Sequence, residues 1–323
     1  MNREVNMKTL YIIGNGFDMA HGLNTNYWEL REYIEERDPE FLSFFEYRYN
    51  IQPLDDSEPW YTEEAQERWN KSVNYNLWSV FEQHIGNPNT TEMIEMSESV
   101  TEGMPKIGIR DHMDYYWKNE FGGIKKLHLY VKDWIETINT DKLKPLKMSL
   151  INSTDIFMNF NYTDVLEKVY GIDDVMHIHG GVSSICTIDP IIGHCNKQDI
   201  KKHRIWAKEA DDEYAEAEAS IQDAVADYLE AIYKDTDKQI NRNYNFFERL
   251  NLVNHVVIIG WSGGEVDLPY LYKIIDSVNQ STHWTVYWYD KEAYNALKNV
   301  FKNVGIVDIN LVKFEQSDTF WDS

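Results

Sequence analysis

The segment TLYIIGNGFD, residues 9–18, decides the fold of this chain. An apolar run of strand length ends at Gly14, Gly16 follows two positions later, and a helix-like segment begins. In α/β nucleotide folds, this order of strand, glycine turn and helix brings backbone N–H groups against a phosphate or a ribose. Neither glycine has a Cβ, so both allow close approach of the backbone. We therefore expect Gly14, Asn15 and Gly16 to belong to a nucleotide site.

The six-residue dinucleotide pattern is incomplete, because Met19 stands where the third glycine would be. A glycine turn alone is weak evidence, but a second glycine-led loop, HGLNTNY at residues 21–27, follows it directly. Asp18 could contact a ribose hydroxyl or polarise a water, or it could cap the first helix and offset its positive end. His21 is a further candidate of the same kind.

Apolar runs alternate with helical periodicity along the rest of the chain, which is typical of a doubly wound sheet. The sequence predicts strands near residues 8–13, 155–160, 176–179, 255–260, 284–289 and 306–314. It predicts helices over 27–50, 124–138, 207–233 and 291–301, and irregular structure over 86–123. We expect one α/β domain with a Rossmann-like, mostly parallel sheet, built from core segments 7–26, 151–195 and 251–323. Residues 27–150 and 196–250 are expected to be helical insertions.

Length and composition indicate a globular protein. The 323 residues suffice for a large core, and 43% of them are apolar. No apolar run approaches the ~20 residues that span a bilayer, and the first residues lack the architecture of a signal peptide. Two cysteines are too few for a disulfide framework. We expect a cytoplasmic protein without membrane contact.

The net charge of −23 disfavours nucleic acid as a partner, because such a surface repels polyanions. An anionic small molecule is still compatible with this charge, since backbone amides can bind phosphate inside a pocket. One basic stretch interrupts the acidic sequence, and we interpret it as a solvated loop edge: Lys197, Lys201, Lys202, His203 and Arg204.

Polar side chains follow two of the predicted strands. Asn161 comes directly after Phe160, at the carboxyl end of a strand, where ligands bind in open α/β sheets. Its amide can donate and accept, so it could hold a ribose hydroxyl or orient a water, or it could simply close a turn. Alternation along a strand places His177 and His179 on the same face, and an imidazole titrates near working pH, as a general base must.

Two histidines on one face also suggest a metal site. His194 and Cys195, which lie 15 and 16 positions after His179, are further candidate ligands. The ligand pairs of a recognised zinc signature are missing, however. We therefore expect no bound metal.

A second glycine loop follows the apolar strand that ends at Gly260. The amides of Ser262, Gly263 and Gly264 could bind phosphate or ribose, and Asp267 could contact ribose or cap a turn. The loop resembles a nucleophile elbow, but His283 is the sole histidine beyond it, which disfavours a serine hydrolase. No phosphate loop ending in Gly-Lys-Ser/Thr is present, which excludes an ATPase of that type.

Five segments in this order resemble the AbiH family, which are abortive-infection proteins that defend bacteria against phage. The segments are IIGNGFDMAHGLNTNYWELREYI at 12–34, FNYT at 160–163 with Glu167, HIHG at 177–180, IGH at 192–194, and IGWS at 259–262 with Asp267. The same series is more remotely similar to the sirtuin-like NAD-binding fold, in which a glycine turn, an Asn after a central strand and a His-Gly pair line the pocket.

These resemblances imply a site and a reaction. They match Asn161 to the catalytic Asn and His179 to the catalytic His of sirtuin-like NAD hydrolases, with NAD as substrate. Sirtuin deacylases carry a four-cysteine zinc module, and this chain has two cysteines in all. The resemblance therefore favours hydrolysis or nucleotide binding over deacylation.

Three hypotheses follow. The leading one is an anti-phage N-glycosidase that cleaves the nicotinamide–ribose bond of NAD. The second is a non-catalytic nucleotide sensor that acts through a defence partner or a homo-oligomer, since fold does not fix function. The third is a metal-dependent nuclease toxin that uses His177, His179 and His194.

Overall fold

The structure, a computed structural model, describes residues 8–55, 57, 61–104, 108–147, 155–306 and 308–322. The chain forms two compact units. We call the described residues of 1–26, 132–191 and 235–323 the sheet unit, and those of 27–131 and 192–234 the helical unit. None of the described helices is long and apolar enough to cross a membrane.

The sheet unit contains six parallel strands. They are β1 Lys8–Ile13, β2 Ile156–Asn159, β3 Val175–His177, β4 Val253–Ile259, β5 His283–Trp288 and β6 Val312–Gln316. Their order is β3-β2-β1-β4-β5-β6, and every neighbouring pair is parallel. This is the order of the doubly wound fold made of two mononucleotide-binding halves. The prediction of a Rossmann-like, mostly parallel sheet is confirmed at this level.

The α-helices are numbered along the chain. They are α1 Asn15–Ala20, α2 Tyr27–Arg37, α3 Pro39–Tyr47, α4 Glu63–Val73, α5 Phe81–His84, α6 Thr90–Thr101, α7 Ile109–Phe121, α8 Lys126–Glu136, α9 Val165–Tyr170, α10 Lys197–Asp212, α11 Glu216–Ala231, α12 Thr236–Arg242, α13 Tyr244–Glu248, α14 Leu268–Ser277, α15 Lys291–Asn303 and α16 Ser317–Trp321. A π-helical turn spans Asn74–Trp78, and 3₁₀ turns span Gly122–Lys125, Arg249–Leu252, Glu265–Asp267 and Ile309–Leu311.

Both faces of the central strands are buried, which explains their nearly continuous apolar sequence. Successive side chains of a strand point to opposite faces. Accordingly, Leu10 and Ile12 of β1 pack in one core cluster and Ile13 packs in another. Strand β4 divides its side chains between the same two clusters. At about 1.5–3 kcal/mol for each fully buried aliphatic side chain, these strands account for much of the core stability of the sheet unit.

The helical unit has a separate core rich in aromatic rings. Trp78 stacks on Phe81 with ring centroids 4.6 Å apart, and Phe45 contacts both rings. Within this core, the Glu46 carboxylate accepts hydrogen bonds from Arg31 Nε and Trp78 Nε1, both at 2.8 Å.

One predicted helix is interrupted. The prediction of a single helix over 207–233 is wrong, because α10 ends at Asp212 and α11 begins at Glu216. Between them Tyr214 adopts a left-handed conformation with φ of 59°. The basic stretch from Lys197 to Arg204 lies within α10, so its interpretation as a loop edge is also wrong.

Residues 86–123 contain two helices, so the prediction of irregular structure there is wrong. Helix α7 buries Met113, Trp117 and Phe121, which recur at every fourth position. This period is visible in the sequence but is diluted by charged residues. The predicted helix 27–50 is two helices, α2 and α3, because Asp38 caps the second one. Strand β6 begins later than predicted, at Val312.

Candidate functional site

Four strands of the sheet unit, β1 to β4, end level with one another at the carboxyl edge. Ile13 is in register with both Asn159 and Ile259, and Asn159 is in register with His177. From β1 the chain proceeds outward to β2 and β3, and then crosses to β4 on the other side of β1. Ligands of open α/β sheets bind at this switch point, outside the carboxyl ends of the strands. The candidate site therefore lies beyond Ile13 and Ile259.

The two glycine turns at the switch point pack directly against each other. The N–H of Gly14 donates to Ile259 O at 3.0 Å, and the N–H of Gly16 donates to Gly260 O at 2.8 Å. A Cβ on Gly14 would lie 2.6 Å from Gly260 O, and a Cβ on Gly260, whose φ is 71°, would lie 2.3 Å from Phe17 N. Contact between two backbones thus requires these glycines. The two N–H groups are used within the protein, and phosphate binding by this turn stays a prediction.

Asn15 and His21 hold the first turn in place. Asn15 Nδ2 donates to Thr25 O at 3.0 Å and Asn15 Oδ1 accepts from Thr25 Oγ1 at 2.6 Å, so the two glycine-led loops are tied together. His21 is buried, with Nδ1 at 2.8 Å from Phe17 O and Nε2 at 2.8 Å from the Tyr170 hydroxyl. Burial lowers the pKa of His21. Its contacts are those of a neutral residue that packs α1 against α9.

Asp18 is the buried carboxylate of the site, with an exposed fraction of 1%. One of its oxygens accepts from Thr163 Oγ1 at 2.6 Å and the other from Asn161 Nδ2 at 2.9 Å. Burial raises the pKa of Asp18 to about 7, although both hydrogen bonds act to lower it. Asp18 can therefore gain or lose a proton near neutral pH, as an acid–base group must. Thr163 stands just before a helix, as an N-cap does, but α9 begins after Asp164 and the Thr163 hydroxyl is bonded to Asp18 instead.

Asn161 connects the ends of β1 and β2. Its backbone N–H donates to Asn159 Oδ1 at 3.0 Å, and its side-chain Nδ2 donates to Gly14 O at 3.1 Å as well as to Asp18. Both amide hydrogens are therefore used, and none of the described hydrogen bonds reaches Asn161 Oδ1. The side chain has one defined orientation, in which its oxygen is the atom that can meet a ligand.

His177 and His179 point to different partners, so the prediction that they share one face of a strand is wrong. Strand β3 ends at His177, and His179 lies in a turn before Gly180, whose φ is 71°. His177 Nε2 lies 2.7 Å from Glu167 Oε1 on α9, and its Nδ1 lies 3.2 Å from Asn161 O. The alternation rule fails here because the extended backbone ends two residues too early.

His179 is paired with an acid from the loop that follows β4. Its Nε2 lies 3.4 Å from Asp267 Oδ1, and Trp261 Nε1 donates to Asp267 Oδ2 at 3.3 Å. The imidazole also packs edge-on against Phe160 and contacts Tyr270. This His–carboxylate arrangement can orient an imidazole and stabilise its protonated form.

The second glycine loop leads from β4 to Asp267. Ser262 is exposed, Gly263 has a φ of 74°, and the loop continues into the 3₁₀ turn Glu265–Asp267. Ser262 and Gly263 stay candidates for nucleotide contact. Asp267 thus has His179 as a protein partner. Its contact with a ribose stays a prediction.

His194 belongs to the helical unit, where both of its ring nitrogens are engaged. Nδ1 accepts from the N–H of Asn196 at 3.0 Å, and Nε2 donates to Leu229 O at 2.9 Å. Burial lowers the pKa of His194. In the part of the chain that the structure describes, no group of three or more His, Cys, Asp or Glu residues is placed to hold a metal ion. The contacts of His194 give no support to the metal-dependent nuclease hypothesis.

The whole carboxyl edge, from Gly14 to Asp267, falls within a recognised family. The model of the bacteriophage abortive infection AbiH family matches residues 10–288. The chain belongs to the AbiH family. No curated protein and no solved structure matches this AbiH-family chain. The glycine turns, Asp18, Asn161 and both histidines all lie within the residues that the family model matches.

Two residues of the site were not recognised as functional from sequence. Asn159 ends β2, whose four residues are all buried, and Thr163 reaches Asp18. A signal for Asn159 existed, since a polar residue at the last position of a fully apolar strand needs a partner. Thr163 gave a competing signal, because a Thr just before a helix resembles a cap.

Proposed function

We propose that this AbiH-family protein acts in phage defence by hydrolysing the nicotinamide–ribose bond of NAD. The observation that carries the proposal is the cluster of Asp18, Asn161 and Thr163 beyond the carboxyl ends of β1 and β2. It combines a buried carboxylate with an oriented amide at the place where doubly wound sheets bind nucleotides. The remoter resemblance to sirtuin-like domains supports NAD as the nucleotide.

The reaction has modest chemical demands. As the C1′–N1 bond breaks, its electron pair neutralises the pyridinium ring, so nicotinamide leaves without a strong acid. The ribose develops oxocarbenium character, which nearby negative charge stabilises. Water then forms the new C–O bond at C1′ and gives up a proton. The products are nicotinamide and ADP-ribose.

We assign a separate role in this reaction to each residue at the carboxyl edge of the sheet. Asn161 Oδ1 accepts a hydrogen bond from a ribose hydroxyl, because its amide hydrogens are already committed to Gly14 O and Asp18. Ionised Asp18 supplies negative charge near the ribose. His179, oriented by Asp267, accepts the proton of the attacking water. The loops at Gly14–Gly16 and at 262–264 hold the remainder of the dinucleotide.

The test is to incubate the purified full chain with NAD and to follow free nicotinamide and ADP-ribose chromatographically. We expect both products to form in equal amounts in the wild type and to be lost in Asn161→Ala. Because a defence protein can be silent before infection, the assay is repeated with lysate from phage-infected cells and with a matched uninfected lysate. NAD binding without nicotinamide under every one of these conditions would rule out the glycosidase.

One observation favours a second candidate, a nucleotide sensor that binds without turnover. Asn161 and His179 are only 5% and 3% exposed, and the Gly14 and Gly16 N–H groups are engaged by the protein. A site closed in this way suits a protein whose response is a change of partner or of oligomeric state. Calorimetric titration with NAD, combined with light scattering to measure mass, separates binding from a switch of assembly.

A further inference from the structure

Asn161 is held through its backbone carbonyl as well as through its side chain. His177 Nδ1 lies 3.2 Å from Asn161 O, and His177 Nε2 lies 2.7 Å from Glu167 Oε1. His177 is buried and Glu167 is largely buried. The imidazole therefore bridges α9 and the backbone of Asn161.

The number of protons on this bridge follows from what each atom can do. A carbonyl oxygen only accepts, so His177 Nδ1 must carry a hydrogen. With Glu167 ionised, the carboxylate also only accepts, and Nε2 then carries a hydrogen too. An imidazole that donates from both nitrogens is a cation. The contact of 2.7 Å between Nε2 and Oε1 is in the range of a charge-assisted hydrogen bond.

We propose that Glu167 and His177 form a charged positioning pair that fixes Asn161 and presents a positive charge to Asp18. The charge state of the pair is independent of any reaction. Its effect on turnover rests on the proposed NAD cleavage.

The groups around the pair support this role. Asp18 faces the neutral donors of Asn161 and Thr163 and the charges of His177 and Asp164. The charge of His177 lowers the pKa of Asp18, whereas Asp164 raises it. Asp164 is itself paired with Lys168 Nζ at 3.0 Å. On the Glu167 side, the buried Oε2 has no hydrogen-bond partner among the described residues, so His177 is the anchor of this carboxylate.

The charge is measured on the full chain with ¹⁵N-labelled histidine, the His177 signals being assigned by their loss in His177→Asn. We expect both ring nitrogens of His177 to be protonated at pH 7.5. In Glu167→Gln, which keeps the size but removes the charge, we expect a neutral ring with its hydrogen on Nδ1. A neutral His177 in the wild type at pH 7.5 would overturn the proposal.

The second measurement follows Asp18 by its ¹³Cγ titration. We expect the midpoint for Asp18 to move to higher pH in Glu167→Gln, because a neighbouring positive charge is lost. An unchanged midpoint contradicts the proposal. Asp174→Asn is the matched control, since it also converts a carboxylate to an amide but at a site that is 81% exposed. It should leave both His177 and Asp18 as they are.

Kinetics add a third measurement. In Glu167→Gln we expect kcat for NAD cleavage to fall by up to about 10²-fold, the effect of a small misplacement, with KM little changed. The rise of activity with pH should shift upward together with the Asp18 midpoint. An unchanged kcat and pH profile would contradict the positioning role. If the wild type cleaves no NAD, the proposed function fails, while the two NMR measurements still decide the pair.

Discussion

Asp18 in the sheet unit and Glu46 in the helical unit are both buried carboxylates, and they are held in different ways. In the helical unit, Glu46 is bonded to the Arg31 guanidinium at 2.8 and 3.2 Å. In the sheet unit, Asp18 is bonded to a hydroxyl and an amide, which are both neutral. Burial raises the pKa of both acids, but at Glu46 the positive charge of the Arg31 guanidinium opposes the shift, whereas at Asp18 the bonded groups are neutral and the pKa reaches about 7. The difference separates a residue that serves the fold from one that is suited to chemistry.

The largest effect is expected on the rate of NAD cleavage, when Asn161 or His179 is replaced. Asn161→Ala and His179→Ala should each reduce NAD cleavage by about 10²–10⁴-fold, the usual contribution of a general base or of a comparable positioning group. The circular dichroism spectrum should stay unchanged, because both residues lie at the edge of the sheet. Retention of NAD binding in the His179 variant, measured by calorimetry, would assign its role to the chemical step. Full activity in either variant would remove that residue from the site.

Replacing the ion-paired carboxylate Glu46 should lower the free energy of unfolding. Among the described residues, Glu46→Gln leaves the buried Arg31 with Glu35 as its one carboxylate partner, and the Glu35 side chain is 52% exposed. Loss of one partner of a buried pair typically costs 3–5 kcal/mol, and the remaining contact with Glu35 places our expectation at about 3 kcal/mol. Urea denaturation followed by tryptophan fluorescence measures the change. A cost below that of an ordinary surface substitution would contradict the structural role of the pair.

The corresponding substitution at the other carboxylate, Asp18→Asn, should raise the free energy of unfolding, whereas Glu46→Gln should lower it. The pKa of Asp18 is about 7 when folded and about 3.9 when unfolded. The folded state thus holds its proton more tightly, so the contribution of Asp18 to stability is lost as pH rises from about 4 to about 7. Three pKa units correspond to about 4 kcal/mol. Asp18→Asn should therefore match wild type at pH 4 and be more stable by up to about 4 kcal/mol at pH 8.

The control for this third prediction is activity. The Asp18→Asn variant should lose NAD cleavage while it gains stability, because the reaction that we propose uses the negative charge of this destabilised carboxylate. If the variant is less stable than wild type at pH 8, then ionised Asp18 stabilises the fold, as we infer for Glu46, and the contrast between the two carboxylates is wrong.

The smallest effect is expected for carboxylates on the surface. Asp174→Asn removes the partner of Arg249 in an exposed pair, and the free energy of unfolding should change by less than about 0.5 kcal/mol. The urea midpoint at pH 7.5 measures this change. A larger loss would mean that charge neutralisation alone explains part of the Glu46 result.

The sequence predicted the architecture more completely than the site. Apolar runs ending in glycine identified β1 and β4, because a buried parallel strand needs an uninterrupted apolar segment. The contact between Gly14 and Gly260 was not predicted, since it depends on strands that are distant in the chain. The burial of Asp18 could not be inferred either, because it results from Asn161 and Thr163 folding over α1. His179 was misplaced for a local reason, namely the turn at Gly180.

The pairing of Ile13 with Ile259 has a consequence for biosynthesis. At 5–20 residues per second, β4 leaves the ribosome tens of seconds after β1. Until then the nascent chain lacks both Gly260 and Asp267, and with them one wall of the carboxyl edge. Closing such a long loop is also slow compared with forming local helices. A chain whose synthesis is interrupted before β4 therefore lacks the strand that pairs with β1 and has no assembled carboxyl edge.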